Sequence, residues 1–135
     1  MKFFASLSLL ALCSIACLAQ ESLEAKACFA KAGPQMELNR CASEEAGRAD
    51  RELNKTYKAV LAKFAADPLA VSKIKIMQRA WVAYRDAYMA ATYPATNKQE
   101  EYGSMYPMEA DLLISDLTNT QIKALTRLLH SNDPL

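Results

Sequence analysis

Residues 35–66 read QMELNRCASEEAGRADRELNKTYKAVLAKFAA. Leu38, Ala42, Ala46, Ala49, Leu53, Tyr57, Val60 and Phe64 recur every three or four positions. That spacing lays one apolar stripe along a helix of 3.6 residues per turn. Arg40, Glu44, Arg48 and Glu52 alternate in sign four residues apart, the pattern of a solvated outer face. The stretch predicts one long amphipathic helix.

The flanking segments repeat the pattern. Asp67 can cap a following helix and Pro68 suits its first turn. Ile74, Met77, Trp81, Tyr84 and Tyr88 form a second apolar stripe, running to about Ala91. Residues 93–106, YPATNKQEEYGSMY, hold most of the turn signals and predict the main loop. A third helical region covers Pro107 to Leu129. Within it, Thr118-Asn119-Thr120-Gln121 fits a capping box, so a break or bend is expected near Thr118. A short helix around Ser22–Ala32 precedes the long one, and no segment alternates as a strand. The fold class is all-α: a small helical bundle of three to five helices with one disulfide.

The chain opens MKFFASLSLLALCSIACLAQ. Lys2, the apolar run after it and the small residues near Ala19 have the layout of a secretory signal cleaved after Ala19. The run is too short and too rich in Ser and Cys to favour a membrane span. A second exit is a lipid on Cys17, since Ser14-Ile15-Ala16-Cys17 loosely resembles a lipoprotein box; Ser14 stands where leucine is usual. Residues 1–19 are thus read as signal and 20–135 as one domain, placed in the periplasm or outside the cell. Cys28 and Cys41 then remain as an even pair in an oxidising compartment. Paired, they close a loop worth about 3 kcal/mol in the chain-entropy model; the alternative is two buried thiols.

Charge and residue inventory exclude several functions. Without Lys2 the acidic and basic residues balance, so no global charge draws nucleic acid or an anionic membrane. Gly33, Gly47 and Gly103 stand apart, so there is no phosphate loop. The residues are read as offering no catalytic pairing of a serine or cysteine with a histidine base, and His130 with two cysteines makes no four-ligand metal set. Glu44 and Glu45 diverge by roughly 100° on a helix and cannot flank one bond. The reading is a non-enzyme with no catalytic residue, cofactor or metal.

Residues 78–88, QRAWVAYRDAY, surround the one tryptophan with charge. On a helix, however, Trp81, Met77, Tyr84 and Tyr88 share a face, with Gln78 and Arg85 along its edge. Asp50 and Asn54 flank the stripe of the long helix in the same way. These four are expected to form a structural polar seam, with Arg85 meeting Asp50.

The order of blocks resembles a family. Cys28, Gln35-Met36-Glu37-Leu38-Asn39-Arg40-Cys41-Ala42, Ala49-Asp50-Arg51-Glu52-Leu53-Asn54 and Tyr57 resemble the start of the LprI-type lysozyme-inhibitor domain. Gln78-Arg79-Ala80-Trp81 with Tyr84-Arg85-Asp86-Ala87 resembles its central signature, and Gly103-Ser104-Met105-Tyr106-Pro107-Met108 with Leu117-Thr118 its third. The blocks span residues 28–118. A second cysteine pair common in the family is replaced here by Tyr88 and Leu113, and an arginine often found after the Leu-Thr pair by Gln121. The resemblance implies a small exported helical domain that binds and inhibits lysozyme.

One local feature fits such a partner. Between Ala95 and Thr120, Glu100, Glu101, Glu109, Asp111 and Asp116 face a single cation, Lys98, a local charge of −4. C-type lysozymes are cationic, so this patch would steer their association. Tyr93, Tyr102 and Tyr106 lie in or beside it as candidate anchors, with Glu100 and Glu101 as the charged contacts. The bland alternative is a solvated acidic loop. The competing function is a structural or accessory periplasmic protein, or a toxin-immunity factor, working through a helix face. A protruding acidic loop favours the first function and an exposed apolar helix patch the second.

Overall fold

A computed structural model describes residues 22–131. Five α-helices and one 3-10 turn follow in order: α1 Leu23–Lys31, α2 Gln35–Lys63, α3 Pro68–Thr92, α4 Lys98–Tyr102, the turn Gly103–Met105, and α5 Tyr106–His130. No strand occurs among the described residues. The expected signal, its cleavage point and Cys17 lie outside them.

The helix starts follow local chemistry. The Ser22 hydroxyl accepts the Ala25 amide at 3.0 Å, and Asp67 Oδ1 accepts the amides of Leu69 and Ala70, each at 3.0 Å. Each side chain satisfies N–H groups that the first helical turn leaves without partners. Pro68 sits in the first turn of α3, where no amide is needed. Gly103 takes φ 72°, a left-handed conformation that glycine adopts without strain, between α4 and the 3-10 turn.

The bundle is built on α5. Lys63, at the end of α2, donates to the carbonyls of Leu128 and Leu129 at 3.0 Å each, and to that of Ser131. Near the start of α2, Asn39 reaches the Ser104 carbonyl at 3.1 Å. Thus α2 and α5 run in the same direction, and α3 returns between their ends. Small side chains let α2 and α5 approach closely: Ala42, Ala49, Ala110, Ser115 and Thr118 are all buried. Leu53, Val60, Ile74 and Leu125 form the apolar centre, with Tyr57, Met77 and Trp81 packed on it.

Cys28 and Cys41 are joined, with Cα atoms 5.7 Å apart, and the bridge ties α1 across α2. A second tie lies one turn on. The Glu45 carboxylate, 4% exposed, accepts the Ser22 amide at 3.1 Å and hydroxyl at 2.6 Å, and pairs with Arg48 at 2.6 Å.

Several expectations change here. No break occurs at Thr118: α5 is continuous, because Thr118 points into the α2 seam. Gln121 reaches across to the Gln78 side chain at 3.0 Å instead of back to Thr118. A break would open backbone groups in the middle of this packed stripe. The loop 93–106 is largely helical. Of the alternating charges on α2, Arg40–Glu44 pairs as read, but Arg48 turns inward to Glu45 and Glu52 meets Lys55. The second apolar stripe is inward only through Trp81; Tyr84 and Tyr88 are exposed.

Candidate partner-binding surface

The acidic end is framed by three stacked tyrosines. Tyr93 meets Tyr102 edge-on at 5.3 Å and Tyr106 at 5.1 Å; Tyr102 and Tyr106 lie 5.8 Å apart. The Tyr102 hydroxyl accepts the Ala95 amide at 3.1 Å. Burial, then the Glu109 carboxylate and the neighbouring phenols, push the Tyr93 hydroxyl above its usual pKa. Such edge-on pairs hold the chain from α3 to α5 in one shape.

Lys98, the one cation in this region, is held by its own loop. Its ammonium donates to the carbonyls of Tyr93 at 2.7 Å and Ala95 at 3.1 Å. Asn97 caps α4, taking the Glu100 amide at 3.4 Å and donating to the Glu100 carboxylate at 2.6 Å. Glu100 and Glu101 are exposed on this one-and-a-half-turn helix. Glu109 and Asp116 are exposed on α5, while Asp111 is half-buried and its carboxyl is pushed up by burial. The result is an acidic lip with its counter-charge turned away.

The tyrosines expected as anchors therefore stack on one another, and the glutamates stand outward. The polar seam does not form as one unit. Asp50 accepts the Asn54 amide at 3.1 Å on its own helix, and both are exposed. Arg85 donates to Asp86 at 2.7 and 3.0 Å and lies 5.4 Å over the Trp81 ring. The expected Arg85–Asp50 contact does not form: each finds its partner on its own helix, Asp50 with Asn54 and Arg85 with Asp86. Only Gln78 bonds across helices, to Gln121.

Sequence reasoning missed Glu45. It sits four residues from Cys41 and four from Ala49, on the buried stripe, and that register was the available signal. Burial alone would raise its pKa. The Ser22 hydroxyl and amide and the Arg48 guanidinium outweigh that and hold the carboxyl below its ordinary value.

An open cleft of about 480 Å³ lies beside the tyrosines, lined by Arg85, Asp86, Met89, Lys98, Tyr106 and Ile114. It holds no nucleophile with a base. Among the described residues no three His, Cys, Asp or Glu side chains gather as metal ligands.

The model of the family described as Lysozyme inhibitor LprI matches residues 16–125. The chain belongs to the LprI lysozyme-inhibitor family. This is a family of inhibitors rather than catalysts. A relative of the LprI chain is an uncharacterized protein, R02472, of Rhizobium meliloti (strain 1021). It is 36% identical over 113 residues, covering 75% of this chain and 78% of the relative. No solved structure matches the LprI chain.

Proposed function

We propose that the protein is an exported cell-envelope binding module that inhibits c-type lysozyme through the acidic lip at α4. Membership of the inhibitor family carries this reading. The lip supports the choice of surface: Glu100 and Glu101 point outward, Lys98 is held against the backbone carbonyls of its own loop, and the tyrosine stack spares the lip much of the ordering cost of binding. Inhibition works by occlusion, with the lip set against the cationic rim of the lysozyme cleft, and needs no chemistry from this chain.

The test is lysis of a peptidoglycan suspension by a c-type lysozyme, with and without purified protein. Dose-dependent inhibition that weakens with salt, and weakens further in E100K/E101K, is expected. Full lysis at a clear molar excess of protein would refute the reading.

A second reading has its own observation. The outer side of α3 exposes Leu69, Ile76 and Tyr84. A patch of this kind favours an accessory envelope role through a helix face, without lysozyme inhibition.

A further inference from the structure

The outward side of α3 has a composition that the acidic lip does not explain. Leu69, Ile76, Ala80, Tyr84, Ala87 and Ala91 fall within an arc of roughly 80° on this helix. All six are exposed, Leu69 at 68%, Tyr84 at 55% and Ile76 at 50%. The strip is roughly 33 Å long. Lys73 lies within the arc, and Arg79 and Lys75 lie roughly 60° and 100° beyond its Ile76 edge; all three are exposed. Among the described residues no ion pair engages any of the three. The one carboxylate within α3, Asp86, is already bonded to Arg85, and Asp67 is occupied in capping the helix. The half of α5 that runs beside Ile74 adds exposed Lys123 and Arg127.

We infer that the outer face of α3 rests on an anionic lipid bilayer. The charge on this side is basic although the chain as a whole is balanced, because most carboxylates lie on α2 and at the α4 end. An apolar strip edged by lysine and arginine is the pattern of a helix lying in the headgroup boundary, with the ammonium groups reaching lipid phosphates. Tyrosines such as Tyr84 and Tyr88 take the same depth. Leu69 and Lys73 at one end also line an open cleft with Ile74, Met77 and Leu128. The exposed cations beside the strip favour an anionic surface as its occupant. No helix among the described residues is long and apolar enough to cross a membrane, so the contact is with the surface. The inference is independent of the lysozyme reading, since it uses other residues.

The test is co-sedimentation of the exported form, residues 20–135, which lacks Cys17 so that no acyl anchor contributes. The vesicles are an equal mixture of phosphatidylglycerol and phosphatidylcholine, or phosphatidylcholine alone. Binding to the anionic vesicles, weakened by salt, and little to the neutral ones is expected. K73E/K75E/R79E should lower partitioning roughly a hundredfold. L69S/I76S should lower it roughly tenfold at either salt. Circular dichroism should match wild type in both, since the altered side chains face solvent. The inference is overturned by equal binding to both vesicle types, by no binding, or by variants that bind as wild type. It is also overturned if wild type sediments as a dimer that L69S/I76S dissociates, which would make a second copy the occupant.

Discussion

Helices α2 and α3 both flank α5, and they treat their outer sides in opposite ways. On α2 the outer side is charged and pairs with itself, as in Arg40–Glu44 and Glu52–Lys55. On α3 the outer side is apolar, and its three exposed cations form no ion pair among the described residues. Their inner sides differ too. Small residues bring α2 close to α5, while α3 leans on α5 through Ile74, Met77 and Trp81. Thus α2 is complete within this molecule, and α3 still has a surface to offer.

The difference can be broken by mutation. Leu125 is fully buried between the helices, so Leu125→Ala should cost about 2–5 kcal/mol in denaturant unfolding. Ile76→Ala, outside on α3, should cost under about 0.5 kcal/mol. Equal losses would mean that the two sides of α3 are not distinct.

Next in size is the tie across α2. Cys28→Ser/Cys41→Ser should lower stability by about 3 kcal/mol, less if strain offsets the entropy. A melt unchanged by the double substitution would remove α1 from the stabilising frame.

The Glu45 clamp gives a pH signature. Its carboxyl is held below the ordinary value in the folded state. Its contribution is therefore fully present above the unfolded pKa and is lost as pH falls through the folded one. Glu45→Gln should flatten the acid limb of the stability profile and leave less loss between neutral pH and pH of about 3. An acid limb identical to wild type would show that the Ser22–Arg48 cage does not favour the charged form.

The smallest effect belongs to Asp50. Its bond to Asn54 is exposed and within one helix, so Asp50→Ala should change stability by no more than about 0.5 kcal/mol. A loss of about 3 kcal/mol or more would restore the long-range pairing with Arg85 that the local partners argue against.

The bundle was legible because its signals are local. The stripe from Leu38 to Phe64, the Asp67-Pro68 boundary and the Cys28–Cys41 pair each depend on neighbours a few residues away. Contacts between helices were not legible, because periodicity gives each helix a face but not a neighbour. Asp50 and Arg85 each lie beside an apolar stripe, yet each finds its partner on its own helix. Thr118 carries a sound capping signal that burial overrides. The outward glutamates of the lip could be placed from sequence, while the mutual stacking of Tyr93, Tyr102 and Tyr106 could not.

The most direct measurement is inhibition of a c-type lysozyme, titrated side by side for wild type, E100K/E101K and L69S/I76S. The lip variant should lose inhibition by tenfold or more, following the charge at the interface. The α3 variant should inhibit as wild type does. Inhibition lost in the α3 variant and kept in the lip variant would contradict the account, and would move the inhibitory surface from α4 to the outer face of α3.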